Sequence, residues 1–350
     1  MPDVYEVLAA ALDRLPNGFP RTPSNIELRL LRKLFSEEEA RLAGLLTATP
    51  KSFQEIAVKA GSAAPEIRRK LLAMARRGFV WPAKADGSLA FRLAPFIVGI
   101  YEAQAETIDH ELAHLVERYM DDGGAAGIMG PLPAVHRVVP AHGSVKSELI
   151  LPYDDVKTML LEARTYSVHD CICRKERDLV GGRTCRIPLR NCMSFSPTER
   201  RPGPGDIGRE EALALLDKTE ELGLVHTVSN VRSGMSYVCN CCGCCCGVLL
   251  GITRWGIEHS VAASNYAASI DPELCTACGV CVSRCQVGAI SEEDGVPRVE
   301  KKRCIGCGLC VTGCPSNAAS LSRKPDGEIK SPPEDFGDWE RQRLGNRGLA

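Results

Sequence analysis

The sequence predicts an α+β protein in three parts: a helical amino-terminal domain, an irregular cysteine-rich middle, and a small carboxyl-terminal module of mixed helix and strand. Three observations carry that expectation. The first 120 residues show helical spacing of apolar side chains and contain no cysteine. All 18 cysteines fall between Cys171 and Cys314. One cysteine pattern, C-x2-C-x2-C-x3-C, occurs twice near the carboxyl terminus, the one internal repeat of the chain.

The bulk numbers fit a soluble globular protein. The 350 residues are 44% apolar and 25% charged, enough for two or three domains with real cores. A formal net charge of −1 gives no bulk electrostatic case for nucleic acid or an anionic membrane. The amino end, MPDVYEVLAAALDRL, carries acids early and reads as an amphipathic helix rather than a signal peptide. No apolar run reaches the roughly 18 residues needed to span a bilayer. The expected location is the cytoplasm, where thiols stay reduced and clustered cysteines bind metal more often than they form disulfides.

Residues 1–120 are expected to form the first domain. SFQEIAVKAG and APEIRRKLLAMARRGFV read as two helices joined by a turn. VWPAKADGSLAFRL follows as two short strands about an Asp86-Gly87 turn. Helix, helix and hairpin in this order resemble the winged-helix variety of helix-turn-helix domain. PFIVGIYEAQAETIDHELAHLVERYM then reads as a long helix, and Tyr101, Ala105, Ile108, Leu112, Leu115 and Tyr119 make a coiled-coil-like seam. That seam either packs on its own domain or pairs two chains as a homodimer through the 97–120 helix. Residues 121–134, DDGGAAGIMGPLPA, read as a Gly/Pro linker. The cysteine-rich middle spans 135–265 and holds one clear helix, REEALALLDKTEELG (209–223), stopped by Gly223. Residues 268–322 form the compact cysteine module, and the tail 323–350 reads as loose.

The repeat is CTACGVCVSRC at 275–285 and CIGCGLCVTGCP at 304–315. Eight cysteines in this order and spacing resemble the bacterial-type ferredoxins that carry two [4Fe–4S] clusters. A cubane cluster needs four thiolates converging from different directions, and three cysteines at intervals of three wrap a tight loop about one face of it. The resemblance implies that Cys275, Cys278 and Cys281 with Cys314 hold one cluster, and that Cys304, Cys307 and Cys310 with Cys285 hold the other. It also implies a βαββαβ fold for the module. Gly279, Gly306 and Gly308 let backbone amides approach the sulfurs. Gln286 stands where the family pattern has a proline.

Ten further cysteines lie in the middle region: Cys171, Cys173, Cys185, Cys192, Cys239, Cys241, Cys242, Cys244, Cys245 and Cys246. The last six fill CNCCGCCC, residues 239–246. Neighbours such as Cys241 and Cys242 point in diverging directions and are expected to serve different partners. Three chemistries fit this set: one or two further iron–sulfur clusters, a zinc ion held by four thiols, or thiol–disulfide exchange. The run CICR, then NCMSF, then CNCCGCCC is similar to ferredoxin-associated proteins of anaerobic bacteria, a similarity that assigns no ligands. His169 and His226 lie near cysteine groups as candidate ligands, or as ordinary hydrogen-bonded residues. Arg174 follows Cys173 and either offsets cluster charge or sits on the surface.

Two motifs mislead. GPGDIG (203–208) satisfies G-x-G-x-x-G, but SPTERRP rather than an apolar strand precedes it, so it reads as a linker. HELAH (110–114) matches a zinc-protease motif, but His110 and His114 fall on the polar flank of the seam and read as a solvated face. Arg68, Arg69, Lys70, Arg76 and Arg77 on the second winged-helix helix suit phosphate contact. Against DNA, residues 1–120 hold 16 Lys/Arg against 15 Asp/Glu, a net of only +1. The expected function is electron transfer with redox partner proteins. The alternative is an iron–sulfur redox-sensing regulator using the winged-helix-like domain on DNA. No acid–base constellation marks a catalytic site.

Overall fold

The structure is a computed structural model that describes residues 3–85, 87–145, 150, 152–293 and 295–349. The chain is of mixed helix and sheet and divides into two compact units. One comprises residues 1–131, 175–181 and 340–350; the other comprises 132–174 and 182–339.

In the first unit, helices α1 (Val4–Asp13), α2 (Ile26–Leu34) and α3 (Glu37–Ala43) precede a two-residue strand, β1 (Lys51–Ser52). Helix α4 (Phe53–Ala60) starts on a capping box between Ser52 and Glu55 and stops at Gly61, in the left-handed region at φ 62°. Helix α5 (Ala64–Arg76) has Pro65 in its first turn and buries Ile67, Leu71 and Met74. Strands β2 (Val80–Ala85) and β3 (Ser88–Leu93) pair as an antiparallel hairpin, and β1 joins β3 to give the order β1-β3-β2. The expected turn residue Asp86 lies outside the described residues; Gly87 beside it has φ 75°.

The long helix expected over 97–120 does not form. The backbone is extended at Ile97, Val98 and Gly99, and the next regular helix is α6 (His110–Tyr119). Side-chain hydrogen bonds, one of them from far up the chain, compete with the helix here. Asn17 Nδ2 donates to the Ile97 carbonyl at 2.6 Å, and the Gly99 N–H donates to Glu102 Oε2 at 2.6 Å. Asp109 then caps α6 by accepting from Leu112 N–H at 2.8 Å. The seam side chains Tyr101, Leu112, Leu115 and Tyr119 are buried within this unit, where Tyr119 packs on Phe19 and Phe96. The segment read as a linker also folds: helix α7 (Ala125–Met129) buries Ala125, Ile128 and Met129. So does the tail. The helix Phe336–Asn346 buries Trp339 and Arg343, whose guanidinium donates to the carbonyls of Pro16, Ile128 and Pro131. Charge had suggested solvent at Arg343, but three carbonyls replace the water it loses.

The second unit contains a six-stranded antiparallel sheet. It is built from β4 (His136–Val139), β5 (Thr165–Asp170), β6 (Arg190–Ser196), β7 (Asp206–Ile207), β8 (Val225–Ser229) and β9 (Tyr237–Cys241). Their order is β4-β8-β9-β6-β5-β7. Helices α8 (Val156–Glu162) and α9 (Ile172–Leu179) flank β5, the latter running on into the first unit's segment; α10 (Arg209–Glu221) follows β7. Tyr166, Met193, Phe195, Val228 and Val238 from the sheet meet Val156, Leu160, Ala212 and Leu216 from α8 and α10 in one apolar core. Side chains alternate across a strand, so Cys192, Cys239 and Cys241 project from the opposite face. That alternation sorts this sheet into an apolar side and a thiol side.

After α11 (Gly247–Thr253), the cysteine module runs β10 (Tyr266–Ile270), α12 (Val280–Arg284), β11 (Ile290–Glu293), β12 (Val296–Val299), α13 (Leu309–Thr312) and β13 (Ala319–Arg323). β10 pairs with β13 and β11 with β12, both antiparallel. Its core is small: Val145, Tyr266, Ala268, Ile290 and Leu321, completed by Cys281 and Cys310. Two cysteines in so short a core leave the module dependent on what its thiols bind.

Candidate metal centres

The two repeat loops share one backbone. Ala277 and Gly306 occupy the same position in their loops and have φ 53° and 67°; Gly279 and Gly308, two further on, have φ 72° and 74°. The left-handed turns point successive amides inward, and a glycine carries them without strain. Gly306 has a second reason to be glycine, since a Cβ there would overlap the Ser264 hydroxyl and the Tyr266 carbonyl. Amides already reach sulfur: Ala289 N–H donates to Cys285 Sγ at 3.1 Å and Ala277 N–H to Cys275 Sγ at 3.5 Å.

Burial raises the Cys307 thiol, and Cys310, Cys285 and Cys304 are near enough to add to the rise electrostatically. Burial pushes the Cys310 thiol up to about 12, with Cys304 and Cys285 adding to the rise. Burial likewise raises Cys281, next to Cys275 and Cys278. Burial works the other way from the amides at Cys314: N–H groups of Ala319, Ser316 and Ala318 and the Ser316 hydroxyl hold that thiol below its usual range. The donor set fits two four-sulfur centres. The loops differ in exposure at one position: Cys278, with Leu274 nearby, is in solvent, whereas its counterpart Cys307 is half-buried; Cys281 and Cys310 are both buried.

Gln286 occupies the family's proline position for a structural reason. Its Oε1 accepts from Gly243 N–H at 2.7 Å and its Nε2 donates to the Gly223 carbonyl at 2.9 Å. Gly243 is the glycine of CNCCGCCC, and a Cβ there would overlap the Gln286 carbonyl. Arg284 adds bonds from Nη1 and Nη2 to the carbonyls of Glu221 and Glu220, at the end of α10. The cysteine module is therefore fastened to the middle region through the residues that flank Cys285.

The ten middle cysteines separate into two groups. Cys185, Cys242, Cys244 and Cys245 have their sulfurs all within 4.8 Å of one another, the one such convergence among the described residues. Cys171, Cys173, Cys192, Cys239, Cys241 and Cys246 form a second network of thiols, with Cys241 and Cys246 buried and the other four half-buried. Cys171 hydrogen-bonds with Cys173 and Cys192, Cys173 and Cys241 with Cys246, and Cys192 with Cys239. Register explains part of this. Met193 pairs with Val238 across β6 and β9, which sets Cys192 and Cys239 side by side one step further along. Hydrogen bonds from Cys173 and Cys192, with Arg174 nearby, hold the Cys171 thiol well below its usual range. The neighbours Cys241 and Cys242 do point apart, the first toward Thr227 and Cys246, the second toward Cys185 and Cys244.

Arg174 is fully buried between the two groups. It donates to Asn191 Oδ1, to the Asn240 carbonyl and to the Cys242 thiol, none of them a carboxylate. Burial works against its charge, but Cys171, Cys242 and Cys192 together hold its pKa up. Asn240 also joins Arg174's shell to His226, whose Nδ1 lies 2.6 Å from Asn240 Oδ1 while Nε2 meets Glu220 at 3.2 Å. His226 is thus a hydrogen-bonded residue rather than a thiol-site ligand, and His169, placed between Ser167 and Ser194, is another. The ring centres of His110 and His114 lie 4.4 Å apart with the planes tilted by 58°, and among the described residues no third ligand converges on them. Asn191 and Asn240 were missed by sequence reading. Their only local sign is that each directly precedes a cysteine, Cys192 and Cys241.

A family model described as "4Fe-4S dicluster domain" matches residues 261–319. No curated protein and no solved structure matches the chain. The matched segment spans both repeat loops, defines a ferredoxin-type domain and marks an iron–sulfur protein. Among the described residues no helix is long and apolar enough to cross a membrane.

Proposed function

We propose that this chain transfers electrons, with two [4Fe–4S] clusters in its ferredoxin-type domain and a further cluster in the six-cysteine network. The observation that carries the reading is the grouping of Cys285 with Cys304, Cys307 and Cys310, the exchange of fourth ligands that two interleaved repeats require. Cys275, Cys278, Cys281 and Cys314 make the other set. A bound cluster of this kind supplies one-electron exchange. The chain holds the sulfurs, aims amides at them and limits water, and all three set the potential. The exposed loop around Leu274 and Cys278 is the face for a redox partner protein. From there the route runs inward through Cys285, Gln286 and Gly243 to the middle cysteines.

A second reading is a redox-sensing regulator. It is favoured by the order α4, α5, β2, β3, which we read as a winged helix, and by the exposed Arg68, Arg69 and Arg76 on α5. It is weakened by Lys70, paired with Glu38 and Glu66, and by Arg77, paired with Glu39, which spend two of the five cations. An EPR-monitored redox titration of anaerobic protein, run beside a DNA-binding assay, separates the two. Reversible reduction without DNA affinity is expected; retardation of DNA that tracks the redox state establishes the regulator instead.

A further inference from the structure

We infer that Cys185, Cys242, Cys244 and Cys245 form a closed tetrahedral site for a single zinc ion, distinct from every iron–sulfur centre in the chain. The first argument is size. Cys185 Sγ lies 3.8 Å from Cys242 Sγ and 3.9 Å from Cys245 Sγ, and Cys244 Sγ lies 3.8 Å and 3.5 Å from the same two. Four Zn–S bonds of about 2.3 Å at tetrahedral angles set sulfurs about 3.8 Å apart. A cubane holds one thiolate at each of four separate irons, so its sulfurs stand much further apart. The contrast is internal to this chain. Among the described residues no other set of cysteines, the ferredoxin-type sets included, draws its ligand atoms within the 4.8 Å that encloses these four.

The second argument is charge. Four thiolates around a dication leave two negative charges, and the buried Arg174 donates to Cys242 while lacking any carboxylate partner. A buried guanidinium facing neutral thiols would be an uncompensated charge; facing a zinc–thiolate centre it is balanced. The third is architecture. Cys185 sits in a stretch without regular structure, pinned by Arg183, whose Nε donates to the Cys185 carbonyl at 3.1 Å. Cys242, Cys244 and Cys245 share a turn in which the N–H groups of Cys245 and Cys246 return to the Cys242 carbonyl. Among the described residues, the apolar side chains that cluster with the quartet are Leu224 and Ile187. So little apolar contact does not join two such segments, whereas a metal with no open position does. Its role is structural: it sets the turn that presents Gly243 N–H to Gln286.

The test is metal analysis with zinc-edge X-ray absorption on the full chain purified without air. One zinc per chain, ringed by four sulfurs at about 2.3 Å, is expected. Cys244→Ser, at the half-exposed corner of the site, is expected to lose the zinc while iron, labile sulfide and the reduced EPR signal stay unchanged. If that variant does not fold, the wild-type absorption spectrum decides alone. Zinc ringed by nitrogen or oxygen, iron in place of zinc, or loss of iron and sulfide in Cys244→Ser overturns the assignment. Failure of the electron-transfer reading would look different, as zinc retained in protein without labile sulfide.

Discussion

His136 is buried, and neither ring nitrogen has a hydrogen-bond partner among the described residues; the ring rests edge-on against Tyr237 at 5.5 Å. Burial pushes its pKa down to about 4. The unfolded chain therefore takes up a proton near pH 6.5 that the folded chain refuses, and stability falls as pH drops from there toward 4. Between pH 6.5 and 4.5 the loss is about 2 kcal/mol. Comparing chemical denaturation of the parent with His136→Phe across this range isolates the effect: the gap should narrow or reverse in the acid, and a constant gap contradicts it. Gln286 gives a second residue-level prediction. Gln286→Pro restores the residue usual after this cysteine, yet here it leaves the Gly243 N–H and the Gly223 carbonyl without their partners. The expected cost is about 1–3 kcal/mol per stranded group, seen as a lowered unfolding midpoint. An unchanged midpoint removes Gln286 as a fastening. None of this was legible beforehand, because Gln286 meets a loop 43 residues away and Arg174 meets one 66 residues away.

At the scale of elements, local signals carried far. The two helices within SFQEIAVKAG and APEIRRKLLAMARRGFV and the helix α10 ending near Gly223 were read from neighbouring residues. The failures share a cause as well. The apolar seam over 97–120 suggested one helix, but Asp109 is an N-cap and Asn17, 80 residues away from Ile97, holds the interrupting backbone open. The helix Phe336–Asn346 was hidden by its charge, because Arg343 finds its carbonyl partners in residues far up the chain. Arg343→Met should therefore destabilise the first unit by about 2–4 kcal/mol through stranded carbonyls. Proteolysis that cuts residues 1–131 no faster than in the parent would refute this. In the ferredoxin-type domain, Cys307→Ala removes a half-buried thiol of the second repeat loop, beside a core that is itself part cysteine. One cluster's iron should be lost and the domain should melt earlier; unchanged iron and melting count against the ligand set.

Across the whole molecule, the eight repeat cysteines were legible because their chemistry is written in spacing alone, confined to 275–314. The ten middle cysteines stood out in the sequence as a set open to metal or thiol–disulfide chemistry, but not as two groups. Their partition depends on strand pairing, on the turn at Cys242 and on Cys185, 57 residues from its nearest listener in the chain, Cys242. The resulting picture is a thiol-bearing sheet locked to a dicluster domain through Gln286, with Arg174 buried between the sheet-face sulfurs and the compact quartet. Its most direct test is the iron and acid-labile sulfide content of the folded chain isolated without air. The account predicts a brown protein with more iron and sulfide than the eight of each that the two cubanes of the repeat hold, about ten to twelve of each per chain. A folded, colourless protein without labile sulfide would contradict it.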